Sequence, residues 1–374
     1  MKFLHISDLH LGKRLHEASL IEDQQAILNQ ILCIIDEEKP EGVLIAGDIY
    51  DKSVPSAEAV SLFDFFISEL AKRRLEVFVI SGNHDSPERI AFGSKIMDGV
   101  GIHLSPVYDG KIVPATLKDG DGEVNVYMLP FVKPSHVRRF YENENIESYT
   151  DAVKVAVDKM NIDNKKRNIL VTHQFVTGAA RSESEESVGG TDNVDASVFE
   201  KFDYVALGHL HSPQFCSNES IRYSGTPLKY SFSEATDVKS VTVVTLLKKG
   251  EKPEIKTIDL KPLRDLKKIR GTFDDLINTS KRTEDYVQIT LTDEDDIPNA
   301  MARLQAIYKN ALELKYDNSR TREEATIFGA EAVEQKTAFE LFSEFFIDRN
   351  NAEMSQTQKA YIKALIEEIE EEDV

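Results

Sequence analysis

Five short apolar segments in the first 210 residues each end in a cluster of Asp, Asn or His residues, and this feature constrains the fold most. The segments are rich in β-branched residues, as are strands buried on both faces of a sheet. They are Phe3–Ile6, Val43–Ala46, Val77–Ile80, Ile169–Thr172 and Tyr204–Leu207. Amphipathic helical patterns over about residues 20–38 and 56–73 separate the first three. The chain therefore predicts an α/β sheet with helices packed on its faces.

Further strand patterns indicate how this core is completed. Residues 111–129, 220–223 and 238–259 predict hairpins or edge strands. We therefore expect a two-layered, mixed β-sheet core flanked by helices, which occupies residues 1–262.

A small α+β unit begins near Lys261 and Pro262, where the pattern changes. It has strand patterns over 266–271, 286–291 and 312–316 and a helical pattern over about 297–309. We assign residues 263–328 to this unit. From about residue 331 the sequence predicts two helices and a final acidic run at 370–373, and we assign them to a C-terminal segment, 329–374.

Composition excludes several classes of protein. The chain has 41% hydrophobic and 29% charged residues, which is ordinary for a globular protein. Its two cysteines, Cys33 and Cys216, cannot form a disulfide framework or a four-cysteine zinc site. No membrane span or signal peptide is visible, so we expect a cytoplasmic protein. The net charge of −20 weakens the case for a nucleic-acid partner without excluding it, because metal ions can neutralise phosphate.

The polar residues that follow the five strand patterns predict a metal centre. The acidic, amide and imidazole residues among them are Asp8, His10, Asp48, Asp51, Asn83, His84, Asp85, His173, His209 and His211. Because ligand sites in α/β sheets form beyond the carboxyl ends of the strands, we expect these side chains in one crevice. Asp, Asn and His offer mixed oxygen and nitrogen donors, which suit Mn, Fe or Zn rather than Ca²⁺. Two metals explain the set better than one, and a carboxylate on the central strand, Asp48, is the natural bridge.

Each motif taken alone is weak evidence for a metal centre, whereas the five together form a specific pattern. Asp8-Leu9-His10 or His209-Leu210-His211 could by itself consist of turn residues and packed histidines. Glycine precedes the polar group in three of the five segments, which fits sharp turns with close backbone approach. We expect His5 to be a packed core residue. The remaining histidines are expected on the surface or in loops: His16, His103 and His136.

The chain resembles the calcineurin-like metallophosphoesterases at all five of their motifs. The matching residues are Asp8-Leu9-His10, Gly47-Asp48, Gly82-Asn83-His84-Asp85, His173 and Gly208-His209-Leu210-His211. Residues 2–12, 204–214 and 223–227 narrow the resemblance to the SbcD family of bacterial nuclease subunits. The resemblance covers nearly the whole chain. It implies that residues 263–328 form a DNA-capping domain and that residues 329–374 bind a partner.

The resemblance also implies a role for each site residue. The first metal would take Asp8, His10, Asp48 and His211, and the second Asp48, Asn83, His173 and His209. His84 would assist the leaving group without binding metal, and Asp85 would orient and charge its imidazole. Asp51 stands where some relatives carry a further histidine, and its role stays open.

The activity that the resemblance implies is that of a Mn²⁺-dependent DNA nuclease. It comprises single-strand endonuclease, double-strand 3′–5′ exonuclease and hairpin-opening activities in DNA end processing, repair, replication and recombination. An SbcC-type ATPase would be the partner, and the chain itself has no P-loop motif. The alternative is a metallophosphoesterase acting on a small-molecule or nucleotide phosphodiester, or on a phosphoprotein. A non-catalytic scaffold is disfavoured by the complete set of candidate ligands.

Two apolar helical surfaces suggest protein contacts. Residues 57–70 have an apolar arc of about 160° on a helical wheel, wider than the roughly 100° that a core-facing helix needs. The resemblance favours a homodimer built partly on this helix, and burial on two sides within one domain is the alternative. Residues 331–348 carry apolar side chains at helical spacing, among them Phe339, Phe342 and Phe346. We expect this tail to dock on the coiled coil of an SbcC-type ATPase, giving a heterotetramer, or else to pack on the capping domain.

Overall fold

The computed structural model describes residues 1–179, 193–278, 282–322, 338–350, 353–359, 361–362 and 365–366. Its strands are β1 (Lys2–Ile6), β2 (Arg14–Leu15), β3 (Ala18–Ser19), β4 (Gly42–Ala46), β5 (Glu76–Ile80), β6 (Ile102–Leu104), β7 (Ala115–Asp119), β8 (Gly122–Leu129), β9 (Arg167–His173), β10 (Phe175–Val176), β11 (Asn193–Val194), β12 (Tyr204–Gly208), β13 (Gln214–Cys216), β14 (Asn218–Tyr223), β15 (Ser240–Thr245), β16 (Glu254–Asp259), β17 (Leu266–Gly271), β18 (Tyr286–Leu291) and β19 (Ala311–Tyr316). Its helices are α1 (Ile21–Glu38), α2 (Ala57–Lys72), α3 (Pro87–Ile90), α4 (Ser94–Met97), α5 (Pro134–Arg138), α6 (Tyr149–Asp158), α7 (Phe273–Ile277), α8 (Ala300–Gln305) and α9 (Ala338–Asn350).

Two six-stranded sheets stack face to face and form the core. One has the order β16-β15-β1-β4-β5-β6 and the other the order β13-β14-β12-β9-β8-β7. Each contains four neighbouring parallel strands, with antiparallel pairing at one edge of the first sheet and at both edges of the second. Side chains from both sheets, such as Phe3, Phe78 and Tyr204, fill the space between them and are fully buried. The prediction of a two-layered, mixed α/β core is confirmed.

Helices cover the outer faces of the two sheets. The buried stripe of α1 includes Ile27, Ile31 and Ile35, whose spacing of four residues puts them on one face. Helix α2 begins at Ser56, whose hydroxyl accepts a hydrogen bond from the amide of Ala59 and satisfies one of the open donors of the first turn. Both helices pack into one apolar cluster with the first sheet, while α6 packs against the second sheet. The strands are therefore held from both sides, and their carboxyl ends are left open.

The α+β unit is a three-stranded parallel sheet, β17-β18-β19, with α7 and α8 packed on it. Helix α8 is shorter than the predicted 297–309. Asn299 has a left-handed φ of 54°, which breaks the helix before Ala300, and residues 306–310 form turns that lead into β19. The unit is tied to α1 through Asp23. This carboxylate accepts hydrogen bonds from Arg264 at 2.9 and 3.0 Å and from the Tyr286 hydroxyl at 2.9 Å.

The described part of the tail contains α9 and a short helical turn at 356–359. Phe342 and Phe346 line an apolar cavity of about 410 Å³ together with residues of that turn. The predicted start of the first tail helix, at 331–337, and the acidic run at 370–373 lie outside the described residues. Within the part of the chain that the structure describes, no helix has the length and apolarity needed to cross a membrane.

Candidate metal centre

The carboxyl ends of both sheets meet at one crevice, as the sequence predicts. Asp8 follows β1, Asp48 follows β4 and Asn83 follows β5 in one sheet, while His173 ends β9 and His209 follows β12 in the other. The Asp8 amide donates to the carbonyl of Gly47 at 3.0 Å, and the Asp8 carboxylate accepts the amide of His209 at 3.0 Å. These two bonds join three of the five segments.

Asp48 lies at the middle of the crevice. One of its oxygens, Oδ2, is 3.6 Å from His10 Nε2 and 3.4 Å from His173 Nε2, and the other accepts the amide of His84 at 2.9 Å. Potential ligand atoms of His10, Asp48 and His84 lie within 4.8 Å of one another, and so do those of Asp8, Asp48 and His173. Asp48 is common to both groups, which is the placement that a bridging carboxylate requires.

A second cluster of donors surrounds the amide of Asn83. Its Oδ1 is 3.0 Å from His173 Nε2 and 3.0 Å from His209 Nδ1. His173 Nδ1 donates to the Ala46 carbonyl at 2.8 Å, which fixes the ring and directs Nε2 at the cluster. In the metal-free chain the ring nitrogens of His173 and His209 can donate to this oxygen, and a cation bound by all three side chains would replace those protons.

His10 and His211 form the other side of the crevice, with ring centroids 5.3 Å apart. Both ring nitrogens of His10 are buried, and neither forms a hydrogen bond with the residues that the structure describes. A buried nitrogen without a partner is costly unless a ligand binds it. The donor set and these orphaned nitrogens therefore fit a pair of divalent cations.

In the metal-free chain, burial and neighbouring charges shift the pKa values of the buried acids and of His173. Burial and the neighbouring Asp48 raise the pKa of Asp8 to about 6. Burial also acts to raise the pKa of Asp48, but the imidazoles of His173 and His10 hold it well below its usual range. Conversely, burial acts to lower the pKa of His173, and the Asp48 carboxylate overcomes it and raises the pKa to about 9. In the absence of metal, a proton on His173 thus balances the charge of Asp48.

The backbone is strained where these side chains converge. Asp8, His10, Asp48 and His209 all have positive φ values, of 53°, 43°, 49° and 108°. Such conformations cost about 1–3 kcal/mol each for residues other than glycine, and they persist only when the surroundings enforce them. These backbone conformations direct the side chains at the strand ends into the same small volume.

Two glycines allow the segments to approach closely. A Cβ atom at Gly82 would lie 2.1 Å from Asp48 Oδ1, and one at Gly208 would lie 1.9 Å from the Ala46 carbonyl oxygen. Any side chain at either position would push the strand ends apart. The expectation of close backbone approach at the glycines is confirmed.

His84 is exposed at the rim of the site, and its ring is 4.9 Å from that of His10. Its Nδ1 is 3.1 Å from the backbone carbonyl of Asp51, to which it can donate a hydrogen bond. The prediction that Asp85 orients this imidazole is wrong. The Asp85 carboxylate is buried and accepts the amides of Ile49, Tyr50 and Gly82, at 2.9–3.0 Å, so it holds the loops together and is not available to His84.

Asp51 therefore acts on His84 through its backbone, not its side chain. The Asp51 carboxylate forms an ion pair with Lys13 at 2.7 Å and lies 3.7 Å from His10 Nδ1. The side chain therefore lies at the edge of the crevice, between Lys13 and His10.

Glu234 and Lys239 are site residues that the sequence did not reveal. Glu234 Oε1 is 3.1 Å from His211 Nδ1, and Lys239 Nζ is 2.6 Å from Glu234 Oε2 and 2.9 Å from the His211 carbonyl. Although burial acts to raise it, the pKa of Glu234 is lowered to about 2 by His211 and Lys239. A glutamate and a lysine five residues apart usually lie in a solvent-exposed loop, so nothing in the local sequence indicates that these two belong to the site. Here they fix the His211 ring and direct its Nε2 away from Glu234.

The other histidines lie away from the crevice. His5 is fully buried in the core, and its Nδ1 is 2.9 Å from the Tyr204 hydroxyl, as expected. His16 is exposed in the turn between β2 and β3. His103 lies in β6, with its ring nitrogens within hydrogen-bond distance of Glu76 and Asp98, and His136 lies in α5.

Comparison with known proteins identifies two family models. Residues 1–213 match the calcineurin-like phosphoesterases. Residues 262–350 match a model described as the type 5 capsule protein repressor C-terminal domain.

A curated relative extends over almost the whole chain. It is the SbcD subunit of the nuclease SbcCD of Staphylococcus epidermidis, which is 34% identical over 377 residues and covers 98% of both chains. Among solved structures, a dimetal phosphatase from Danio rerio covers 70% of this chain and 98% of its own, with 13% identity and a TM-score of 0.42. A protein of Thermus thermophilus covers 68% and 98%, with 11% identity and a TM-score of 0.38.

Proposed function

Since the chain belongs to the calcineurin-like phosphoesterases and, within them, to the SbcD nuclease subunits, we propose that it is a Mn²⁺-dependent DNA nuclease that processes DNA ends. As a member of this family it is a metal-dependent hydrolase of phosphate esters. The observation that carries the proposal is the position of Asp48, whose Oδ2 lies 3.6 Å from His10 Nε2 and 3.4 Å from His173 Nε2, two histidines that we assign to different ions. Two ions that share a ligand can clamp both oxygens of a phosphoryl displacement. A DNA substrate and an ATPase partner would place the reaction in the cytoplasm.

The assignment of ligands follows the donor positions. We assign Asp8, His10, Asp48 and His211 to one ion and Asp48, Asn83, His173 and His209 to the other. The short contacts of Asn83 Oδ1 with His173 and His209 support the second set, and the unpaired nitrogens of His10 support the first. Mn²⁺ suits this mixture of carboxylate, amide and imidazole donors.

The two ions, when bound, supply Lewis-acid neutralisation of the phosphoryl oxygens. His84 performs the proton step of the reaction. With Nδ1–H held by the Asp51 carbonyl, His84 in its imidazolium form would give the Nε2 proton to the leaving oxygen. That P–O bond breaks as an attacking water forms the new P–O bond, and the ring is left neutral. Asp8, whose carboxylate accepts the amide of His209, links the two sheets at the crevice.

The tail is the proposed contact with an SbcC-type ATPase. Phe342 and Phe345 on α9 are 37% and 57% exposed, and their rings are 6.4 Å apart. The apolar cavity beside Phe342 and Phe346 offers a groove for a helix of the coiled coil. We retain the proposed boundaries: a nuclease core over 1–262, a capping domain over 263–328 and a partner-binding segment over 329–374.

The exposed apolar residues of helix α2 support the proposed homodimer. Together with an SbcC-type ATPase, such a homodimer would form a heterotetramer. Of its apolar arc, Ala59, Leu62 and Phe66 are buried in the core, whereas Val60 is 45% exposed. Phe65, on another face, is 36% exposed. Val60 lines a cavity with the exposed Phe92, which lies between α3 and α4. Sedimentation at micromolar concentration tests this proposal: a dimer is expected, and Val60→Glu should give a monomer.

Cleavage of a labelled DNA hairpin tests the proposed function. With Mn²⁺ the wild-type chain should cut single-stranded DNA, and an SbcC-type ATPase with ATP should add hairpin opening and degradation of duplex ends. Hydrolysis of bis(p-nitrophenyl) phosphate without any cleavage of DNA would contradict the proposal and favour a small-molecule diester. Asp48→Ala provides the inactive control for both substrates.

A further inference from the structure

A cleft with aromatic walls lies beside the metal centre and takes no part in the reaction described above. It has a volume of about 430 Å³, which is within the range of pockets that hold small ligands. Three aromatic rings line it, those of Tyr108, Phe131 and Phe140, together with His136 and Arg139. The cleft therefore combines flat apolar surfaces with basic side chains.

Phe131 connects this cleft to the metal centre. Its ring is 6.3 Å from that of His173 at an angle of 83°, and its amide donates to the Ser81 carbonyl at 3.0 Å. Ser81 begins the turn that carries Asn83 and His84. Pro87, which also lines the cleft, follows His84 by three residues. If a phosphodiester of a polymer lies at the metal centre, the neighbouring unit of that polymer would thus lie at the cleft.

The walls of the cleft are held in place by contacts with one another. The rings of Tyr108 and Phe140 pack edge to face, with centroids 5.8 Å apart. The Tyr141 hydroxyl donates to the Gly110 carbonyl, and a Cβ at Gly110 would lie 2.9 Å from Phe140 Cβ. Because the rings are already packed, a ligand would bind without the cost of ordering them.

The segment that forms one wall of the cleft is rich in basic residues. Residues 133–139 contain Lys133, His136, Arg138 and Arg139 and no acid, in a chain with a net charge of −20. Arg139 is exposed, and Phe140 is 47% exposed. The acid among the described lining residues, Glu88, accepts a hydrogen bond from Ser86 at 2.9 Å, at the first turn of α3. Aromatic rings beside basic side chains are the surface on which single-stranded nucleic acids stack their bases.

We propose that this cleft binds the unpaired base of a nucleotide next to the scissile phosphodiester. The base stacks on Phe140 and Phe131, and Arg139 faces its phosphate. A base that remains paired in a duplex cannot enter, so the cleft would give the enzyme a preference for unpaired nucleotides at the cut. This inference rests on the proposed nuclease function.

The test compares Phe140→Ala with Phe215→Ala in the full chain. Phe215 lies on the edge strand β13 and is 46% exposed, so it matches Phe140 in size and exposure but not in place. With Mn²⁺, the kcat/KM for a single-stranded oligonucleotide is measured relative to that for bis(p-nitrophenyl) phosphate, which has no neighbouring nucleotide. We expect Phe140→Ala to lower this ratio about tenfold, mainly through KM, because stacking of one base is worth roughly that much. Phe215→Ala should keep the ratio of the wild type, and Phe140→Trp should restore it.

A second measurement locates the base. An abasic residue is moved along the oligonucleotide, and in the wild type one position next to the cut should raise KM about tenfold. Phe140→Ala should remove this effect, because the two changes delete the same contact. If Phe140→Ala and Phe215→Ala change the ratio equally, or if the abasic effect persists in Phe140→Ala, the cleft does not bind the base. Loss of the nuclease function itself would be seen separately, as a wild-type chain that hydrolyses the small diester and leaves all DNA intact.

Discussion

At the level of single residues, binding of metal and transfer of a proton are carried by different side chains. Asp48 contacts His10 and His173, whereas the imidazole of His84 is held by the Asp51 carbonyl at the rim. His84→Ala should therefore keep its affinity for Mn²⁺ and lose about 10²- to 10⁴-fold in turnover, since that is the usual value of acid–base assistance. Titration calorimetry with Mn²⁺ and steady-state kinetics measure the two quantities. A variant that loses its metal but turns over normally at saturating Mn²⁺ would show that His84 is a ligand.

Glu234 is expected to act on the metal site through His211. Glu234→Gln keeps the shape of the side chain but removes the charge that faces the His211 Nδ1 proton and the Lys239 ammonium. Loss of such a partner typically weakens metal binding by about 10–100-fold. Mn²⁺ titration of the variant measures this change. An unaltered affinity would mean that the His211 ring is positioned by its packing alone.

Asp8 makes the stability of the metal-free protein depend on pH. Its pKa is raised from 3.8 to about 6 on folding, so the folded chain holds more protons than the unfolded chain between about pH 4 and 6. The free energy of unfolding should therefore fall as the pH rises through this window. Asp8→Asn should reduce that slope and, in urea denaturation of the metal-free protein at pH 7.5, add about 3 kcal/mol to the free energy of unfolding. A variant less stable than the wild type there would contradict this assignment.

At the level of helices and strands, the site depends on the point at which each strand stops. The five strands and the helices α1 and α2 follow from apolar periodicity, and the structure confirms them within a few residues. The shortened α8 could not be predicted from periodicity, because the left-handed Asn299 interrupts a pattern that continues on both sides of it.

Contacts between segments that are distant in the sequence were the hardest to predict. Candidate ligands could be named because each directly follows a strand, and strand ends converge. Asp85, adjacent to His84, was expected to touch it, yet its carboxylate binds amides of the loop after β4. Glu234 reaches His211 across 23 residues, and only the packed structure shows this contact.

Helix α9 gives a prediction about the proposed contact with the ATPase. Phe345→Glu places a charge on an exposed aromatic position, at which a docked helix would have to bury it. We expect this variant to lose association with an SbcC-type ATPase and to keep Mn²⁺-dependent cleavage of single strands. Co-purification and cleavage assays measure both. Val113→Glu, which changes an 81% exposed residue outside the tail, is the control and should still associate.

In the molecule as a whole, each of the two sheets supplies part of the metal centre. Asp8, Asp48 and Asn83 come from the first sheet and His173, His209 and His211 from the second, with the cluster around Phe3, Phe78 and Tyr204 between the sheets. Neither sheet alone carries a complete set of the proposed donors for either ion. Metal binding should therefore stabilise the packing of the sheets as well as enable chemistry.

The electron paramagnetic resonance spectrum of the Mn²⁺-loaded chain shows directly whether Asp48 joins two ions. We predict two Mn²⁺ ions per chain with the exchange-coupled spectrum of a pair bridged by Asp48, as expected for ions about 3.5–4 Å apart. Asp48→Ala should abolish that spectrum together with DNA cleavage. A wild-type chain that binds a single Mn²⁺, or two that are uncoupled, and still cleaves DNA would contradict the two-metal mechanism.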